Sequence, residues 1–309
     1  MKVTLDLTEL LENGDITQEE HDRLAKLSSS GTSSLALNIV IAFGVISVAA
    51  GILALIPSPL AGIVLGGGLT VGGLAAYRKP QNSWDILGHI CVLVGAIVLA
   101  GGIIILTEAA ASSFLLIAIG FALVGTLAHS GLLVAFGVLA LSSAIGARTG
   151  YAHASYFLGM EDPTITIILM SALALACYLI SKRVSAALER ISLIAARTAI
   201  LVINFGFWIG SLWGDTIAGS GTHIPDVIFG ILWALGLIGL AIWAVRENRR
   251  WVVNVAAVFG AIHFYTQWFE ILGAHPFSVL LSGLITLAFG VGLWKLNQRL
   301  ATVQNDKLS

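Results

Sequence analysis

The sequence predicts an all-α membrane protein: a polytopic bundle of about ten transmembrane helices with both termini in the cytoplasm. Three observations carry this prediction. Of 309 residues, 57% are apolar and 11% charged, and the mean hydropathy is +0.94, whereas a soluble domain carries about 25% charged residues. Several apolar runs exceed the roughly 18 residues that mark a spanning helix. They are continuous, where the strands of a membrane barrel would alternate apolar and polar with a period of two, so helices satisfy the backbone. Finally, the basic residues sort to one side once the runs are counted as spans.

Residues 1–32 form the sizeable polar piece, expected as a cytoplasmic helical hairpin with a linker. Leu7–Glu12 can make a short helix, and Asn13-Gly14 can end it because both residues tolerate positive φ. Thr17-Gln18-Glu19-Glu20 reads as a capping box, with Thr17 at the N-cap and Glu20 at the third helical position. Leu24 and Leu27 would then pack on Leu10 and Leu11, and Ser28-Ser29-Ser30-Gly31-Thr32 would join the hairpin to the membrane. A piece this small buries no core of its own, so it is expected to dock on another surface as a docking or regulatory appendage, a cytoplasmic protein partner being one candidate. Asp15 lacks the spaced oxygen ligands of a calcium loop. The first apolar run starts near Ser34 behind a charged, acidic leader, so it is expected to stay in place as an anchor rather than be cleaved as a signal.

The transmembrane domain is expected over 33–298, with a cytoplasmic tail over 299–309. Its spans fall at 34–56, 60–77, 86–106, 111–128, 131–147, 164–181, 194–213, 227–245, 251–272 and 277–296. On this count fifteen of the sixteen lysines and arginines lie inside, and Arg148 alone lies outside. The turn at His129-Ser130 carries no basic residue, and deleting both adjoining spans preserves the parity, so the count is eight or ten. Glu108, Glu161, Asp162, Asp215, Asp226 and Glu270 gather on the outer side. The outer loop Arg148–Pro163 separates the first five spans from the last five, and the loop Asp215–Asp226 contains Gly219-Ser220-Gly221 and is expected to be mobile. Trp84, Trp213, Trp251, Trp268 and Trp294 sit near helix ends as an interfacial belt. Lys182–Arg197 sets Arg183, Arg190 and Arg197 on one face and Val184, Leu188 and Ile191 on another. It reads either as an amphipathic segment on anionic lipid or as a cytoplasmic extension of the seventh span.

The stretch richest in chemistry is Trp251–Leu272. At about 100° per residue, His263, Gln267 and Glu270 fall on one face, with Asn254 and Tyr265 on the opposite one. Polar side chains inside a membrane are costly unless they face a cavity or a partner, and histidine changes charge near neutral pH. The face can therefore form a proton relay or a cation site, or simply hydrogen-bond within the bundle. In the seventh span Asn204, Trp208, Ser211 and Asp215 form a second stripe toward the outer side. If the two stripes met, they would line an outward-facing vestibule. Ser278, Ser282 and Thr286 form a third stripe, read as close helix packing, as are the spaced pairs among Gly62, Gly66, Gly68 and Gly72 and the pair Gly206/Gly210. His89 and His129 fall at cytoplasmic helix ends and need no special role.

Other classes are disfavoured. Cys91 and Cys177 lie in apolar runs and read as core residues rather than a disulfide or metal framework. A net charge of −1 argues against general nucleic-acid affinity. The zinc-helix, phosphate-loop and dinucleotide patterns are all missing from the sequence. Ala218-Gly219-Ser220-Gly221 lacks the glycine two before the serine that a nucleophile elbow requires. No enzyme activity, cofactor or metal is expected.

The leader Leu10–Glu20, and later Arg250-Trp251 with Asn254, Phe259, Tyr265 and Phe269-Glu270, resemble bacterial polytopic membrane-protein families classed as domains of unknown function. That resemblance implies a bacterial inner-membrane location and no particular activity. Ten spans in about 300 residues, with a long connection after the fifth, also look like the five-plus-five plan of drug/metabolite transporters. Two functions follow as expectations. One is a small-molecule or ion permease whose site is built from Asn204, Trp208, Asp215, His263, Gln267 and Glu270. In it, His263 and Glu270 handle protons or a cation, while Asn204 and Gln267 orient substrate. The other is a non-transporting scaffold or sensor that meets a cytoplasmic partner through its N-terminal hairpin. The glycine faces leave room for a homo-oligomer.

Overall fold

A helix stands at each of the ten expected stretches, preceded by one short helix. This is seen in a computed structural model that describes all residues except 1–6, 13, 78–84, 153–154, 218–220, 247–249 and 306–309. The chain divides into two compact units, Met1–Ala140 and Leu141–Ser309.

The first unit holds α1 (Leu7–Glu12), α2 (Gln18–Leu55), α3 (Pro59–Tyr77), α4 (Asp85–Leu106), α5 (Ala111–Leu127) and most of α6 (Gly131–Ala144). The hairpin forms at its expected place. Gly14 takes φ +76°, and the backbone N–H groups of Gly14 and Asp15 close back on the carbonyls of Leu11 and Leu10. Asn13 lies outside the described residues. The capping box is complete, because Glu20 N–H donates to Thr17 Oγ1 at 3.3 Å and Thr17 N–H donates to Glu20 Oε2 at 2.9 Å. That backbone N–H, joined by the Thr17 hydroxyl, holds the Glu20 carboxyl below its ordinary value.

The segment 28–32, expected to join the hairpin to the membrane, is helical. α2 runs unbroken from Gln18 to Leu55. Serine and glycine in a helix interior cost at most about 1 kcal/mol each. With no proline to stop it, a helix nucleated at the capping box propagates through them.

α3 and α4 pack closely where glycine removes the side chain. A Cβ on Gly66 would stand 2.7 Å from the Gly95 carbonyl oxygen and collide with the Leu99 amide, and one on Gly62 would meet the Gly102 Cα at 3.4 Å. Gly68 and Gly72, expected to serve the same contact, face open space, and Gly73 takes their part against Gly88 and Val92. The third contact glycine is thus displaced by one residue, because the contact follows the face of α3 set by Gly62 and Gly66. Val92, Ala96, Ala128 and Leu133 form the core of this unit. The ring of His89 hydrogen-bonds to the Ala128 carbonyl at 3.2 Å, at the end of α5.

The second unit holds β1 (Ala147–Ala152), β2 (Ser155–Met160), α7 (Pro163–Ser181), α8 (Ala186–Trp213), β3 (Asp215–Thr216), β4 (His223–Ile224), α9 (Asp226–Arg246), α10 (Arg250–Leu272) and α11 (Pro276–Asn305). Among the described residues two strand pairs depart from a purely helical chain. The expected loop Arg148–Pro163 is an antiparallel hairpin with Arg148 opposite Gly159, and Asp215 pairs with Ile224 across a second, smaller one. Both segments carry β-branched or aromatic residues that fit a pleated strand. Residues 218–220, at the Gly-Ser-Gly tip, lie outside the described part.

α8 settles the reading of Lys182–Arg197. A turn at Lys182 and Arg183 separates α7 from a single helix of 28 residues, about 42 Å long against a hydrocarbon layer of roughly 30 Å. Its first turns are an extension of the span. Arg190 and Arg197 are exposed and Ile191 is buried. Lys182 Nζ lies 4.4 Å above the Tyr178 ring and the Arg197 guanidinium 4.7 Å above that of Trp251. α11 likewise continues to Asn305, through most of the expected tail.

Among the described residues six helices are long and apolar enough to cross a membrane, and Ile39–Leu55, Ala111–Leu127, Gly131–Ala144 and Pro276–Gly292 are shorter apolar segments. Burial is distributed for lipid. Small residues fill much of the interior (Ala49, Ala96, Ala128, Ala199, Ala244), whereas Leu55, Val64, Ile271 and Phe277 are exposed. Water would make such an exterior unstable, whereas lipid does not penalise it and small residues let helices approach.

Candidate functional site

Among the polar side chains of α8 to α11, some tie helices together and others face a cavity. Three indoles do the tying. Trp233 Nε1–H on α9 donates to Asn204 Oδ1 on α8 at 2.9 Å, and Trp208 Nε1–H on α8 donates to Thr266 Oγ1 on α10 at 3.0 Å. Trp268 Nε1–H on α10 donates to Ser278 Oγ on α11 at 2.8 Å. Thr286 adds a second tie between α10 and α11, donating to the Tyr265 hydroxyl at 2.8 Å. An indole out of water keeps its N–H paired because no solvent can replace the partner.

Asn204 and Trp208 therefore do not sit where a vestibule would need them. Asn204 is buried, and its amide N–H donates back to the Ile200 carbonyl at 2.8 Å, so both ends are occupied. Asp215 is buried as well; its Oδ2 accepts the Thr164 backbone N–H at 2.9 Å, at the first turn of α7. A carboxylate there satisfies an otherwise unpaired helix-end donor and complements the helix dipole. Asn254, on the far face of α10, is exposed.

His263, Gln267 and Glu270 do come together. With Ser211 of α8 and Asp226, Gly230 and Ala234 of α9, they line a cavity of about 460 Å³. His263 and Gln267 also border a second recess of about 350 Å³ with Phe264, Trp268 and Leu272. Glu270 and Asp226 are exposed, whereas His263 and Gln267 are half-buried. The His263 ring meets the Trp233 indole edge-on, centroids 5.0 Å apart. His263 Nδ1 and Gln267 Nε2 are buried and have no hydrogen-bond partner among the described residues. The Gln267 amide lies over Gly230, where an added Cβ would sit 3.5 Å away in ordinary contact. No group of three His, Cys, Asp or Glu side chains able to hold a metal occurs among the described residues.

Asp226, Gly230 and Ala234 were not picked out from sequence as site residues, although their spacing of four places them on one stripe of α9 and so offered a signal. Gly206 and Gly210, expected as one packing pair, serve two neighbours. A Cβ on Gly206 would strike Ile167 of α7 at 2.8 Å, and one on Gly210 the Phe229 ring of α9 at 2.5 Å.

Comparison with protein-family models, with curated proteins and with solved structures gives no match. Length, composition and exposure of its helices make this chain a multi-pass membrane protein.

Proposed function

We propose that the chain is a small-molecule permease of a bacterial inner membrane, with ten spans, cytoplasmic termini and a polar site in the cavity between α8, α9 and α10. One observation carries the reading. Of the buried side-chain atoms without a partner among the described residues, Thr164 Oγ1 and Thr166 Oγ1 lie on α7, whereas His263 Nδ1 and Gln267 Nε2 belong to residues that line a cavity large enough for a small solute. A buried polar group without a partner costs about 1–3 kcal/mol, and a bound solute is what would offset it. The orientation is supported by the one-sided basic residues, which put the Asp226 and Glu270 end of the cavity outside.

The test is uptake of a radiolabelled metabolite panel into proteoliposomes, with Gly230→Leu and Gln267→Ala beside the parent. Gly230→Leu adds a side chain at the cavity wall, against the Gln267 amide. Uptake by the parent that falls at least about tenfold in both variants is expected; uptake indifferent to both sinks the proposal.

A second reading, a scaffold or sensor, is favoured by one feature. The unbroken α2 makes the N-terminal hairpin a direct extension of an apolar helix. Removal of residues 1–16 separates the two: a permease keeps its flux, and a scaffold loses its partner.

A further inference from the structure

We propose that the cavity between α8, α9 and α10 takes a small organic cation, a protonated amine that also carries an oxygen acceptor. The amine would lie at the Asp226 and Glu270 end and the oxygen at the Gln267 end. This rests on the reading of that cavity as a solute site and names its ligand class.

The charge of the lining decides between classes. Asp226 opens α9 and Glu270 lies near the end of α10, so two carboxylates from separate helices line one space, with no lysine or arginine among the lining residues. Apolar walls of low dielectric (Val227, Ile231, Ala234 and Ile271) focus that negative potential into the cavity. An anion entering would meet two like charges. A bare metal ion is poorly served, since no three ligating side chains converge among the described residues. An organic ammonium brings its own N–H donors and asks only for acceptors, which carboxylates supply in charge-assisted hydrogen bonds.

The other end of the site is complementary in a different way. Gln267 Nε2 is a donor without an acceptor, and His263 Nδ1 also lacks a partner. The amide rests over the bare backbone of Gly230, and both residues line the cavity. A hydroxyl or carbonyl oxygen on the ligand supplies the missing acceptor. Acidic mouth and donor-bearing wall together specify a molecule with a cation at one end and an oxygen at the other. Ser211 is not needed for this, as its hydroxyl already donates to the Trp208 carbonyl at 2.8 Å.

The experiment is thermal unfolding of the full chain in detergent at neutral pH with four compounds of matched length: aminopentanol, pentylamine, pentanediol and hydroxypentanoate. A ligand of the folded state raises the melting temperature by mass action. Aminopentanol is expected to give the largest shift, pentylamine a smaller one, and the neutral and anionic compounds none. Asp226→Asn and Glu270→Gln, both isosteric and exposed, should each weaken aminopentanol about tenfold, as loss of a charged hydrogen-bond partner does. Gln267→Ala should bring aminopentanol down to pentylamine. A shift from hydroxypentanoate instead overturns the proposal, as does an aminopentanol shift unchanged in both carboxylate variants, or no shift from either amine at high millimolar concentration. Amine binding without flux in proteoliposomes would overturn the permease and leave the cation site. Gly230→Leu-sensitive flux confined to anions would do the reverse.

Discussion

Asn204 receives the indole N–H of Trp233 at 2.9 Å while its own amide donates to the Ile200 carbonyl at 2.8 Å. A residue that sequence alone would place at a solute is thereby the fastening between α8 and α9. Asn204→Leu keeps the volume and leaves the indole donor stranded in the interior. The expected loss is about 1–3 kcal/mol, read as a lower midpoint of unfolding in detergent. A midpoint equal to the parent's would show that the bond contributes nothing net.

Two glycines two residues apart on α3 should respond in opposite directions. Gly66→Ala forces a methyl into the backbone of α4 at Gly95 and Leu99, where no side chain can rotate away. A destabilisation of about 1–3 kcal/mol or more is expected. Gly68→Ala meets nothing within 4 Å and should be neutral or stabilising by about 0.5–1 kcal/mol, through the helix entropy that glycine forfeits. Paired melting curves decide it, and equal behaviour of the two would remove the close approach of α3 to α4.

Asp215 ties the small β3–β4 hairpin to the start of α7 through the Thr164 N–H. Asp215→Ala removes that cap and should cost about 0.5–2 kcal/mol, with Asp215→Asn keeping most of it. Amide hydrogen exchange at Thr164 is the direct readout: faster in the alanine variant, near parental in the asparagine one.

The N-terminal hairpin should loosen in acid. Glu20 is held below its ordinary value of 4.5 by the Thr17 N–H and hydroxyl. For a carboxyl depressed on folding, the stabilisation is complete above the ordinary value and is lost as pH falls through the lowered one. Circular dichroism or proton exchange of residues 7–24 should therefore be flat from neutral pH down to about 4.5 and decline below it. Glu20→Gln should flatten that decline, since the amide oxygen still accepts from Thr17 but no longer titrates. An identical acid transition in this variant would exclude Glu20 as its source.

Helix positions could be read from the sequence because lipid imposes a blunt rule: long apolar runs, polar ends and turns between them. The His263, Gln267 and Glu270 face was equally visible, since three positions on one helix fix a face by geometry alone. What could not be read was which helix meets which. Asn204 finds Trp233 across 29 residues and Trp208 finds Thr266 across 58. Those pairings depend on the rotation of whole helices, which no local pattern encodes. The hairpin at 147–160 was hidden for another reason. Its glycines and polar residues read as a loop, while Tyr151, Tyr156 and Phe157 carried the strand signal. Conversely, five consecutive serine, glycine and threonine residues at 28–32 suggested a break that the surrounding helix overrides.

The division of the chain near Ala140 has a consequence in time. Domains fold as they leave the ribosome, at about 5–20 residues per second, so everything up to α5 is synthesised roughly 9–36 s before the last residue of α11. The glycine contact of α3 with α4 draws on no later residue. The α8–α9–α10 cavity and its indole ties need helices made last. The cavity is therefore completed late, with only α11 and the tail still to come. A chain halted before α8 would hold the paired α3 and α4 without the α8–α9–α10 cavity.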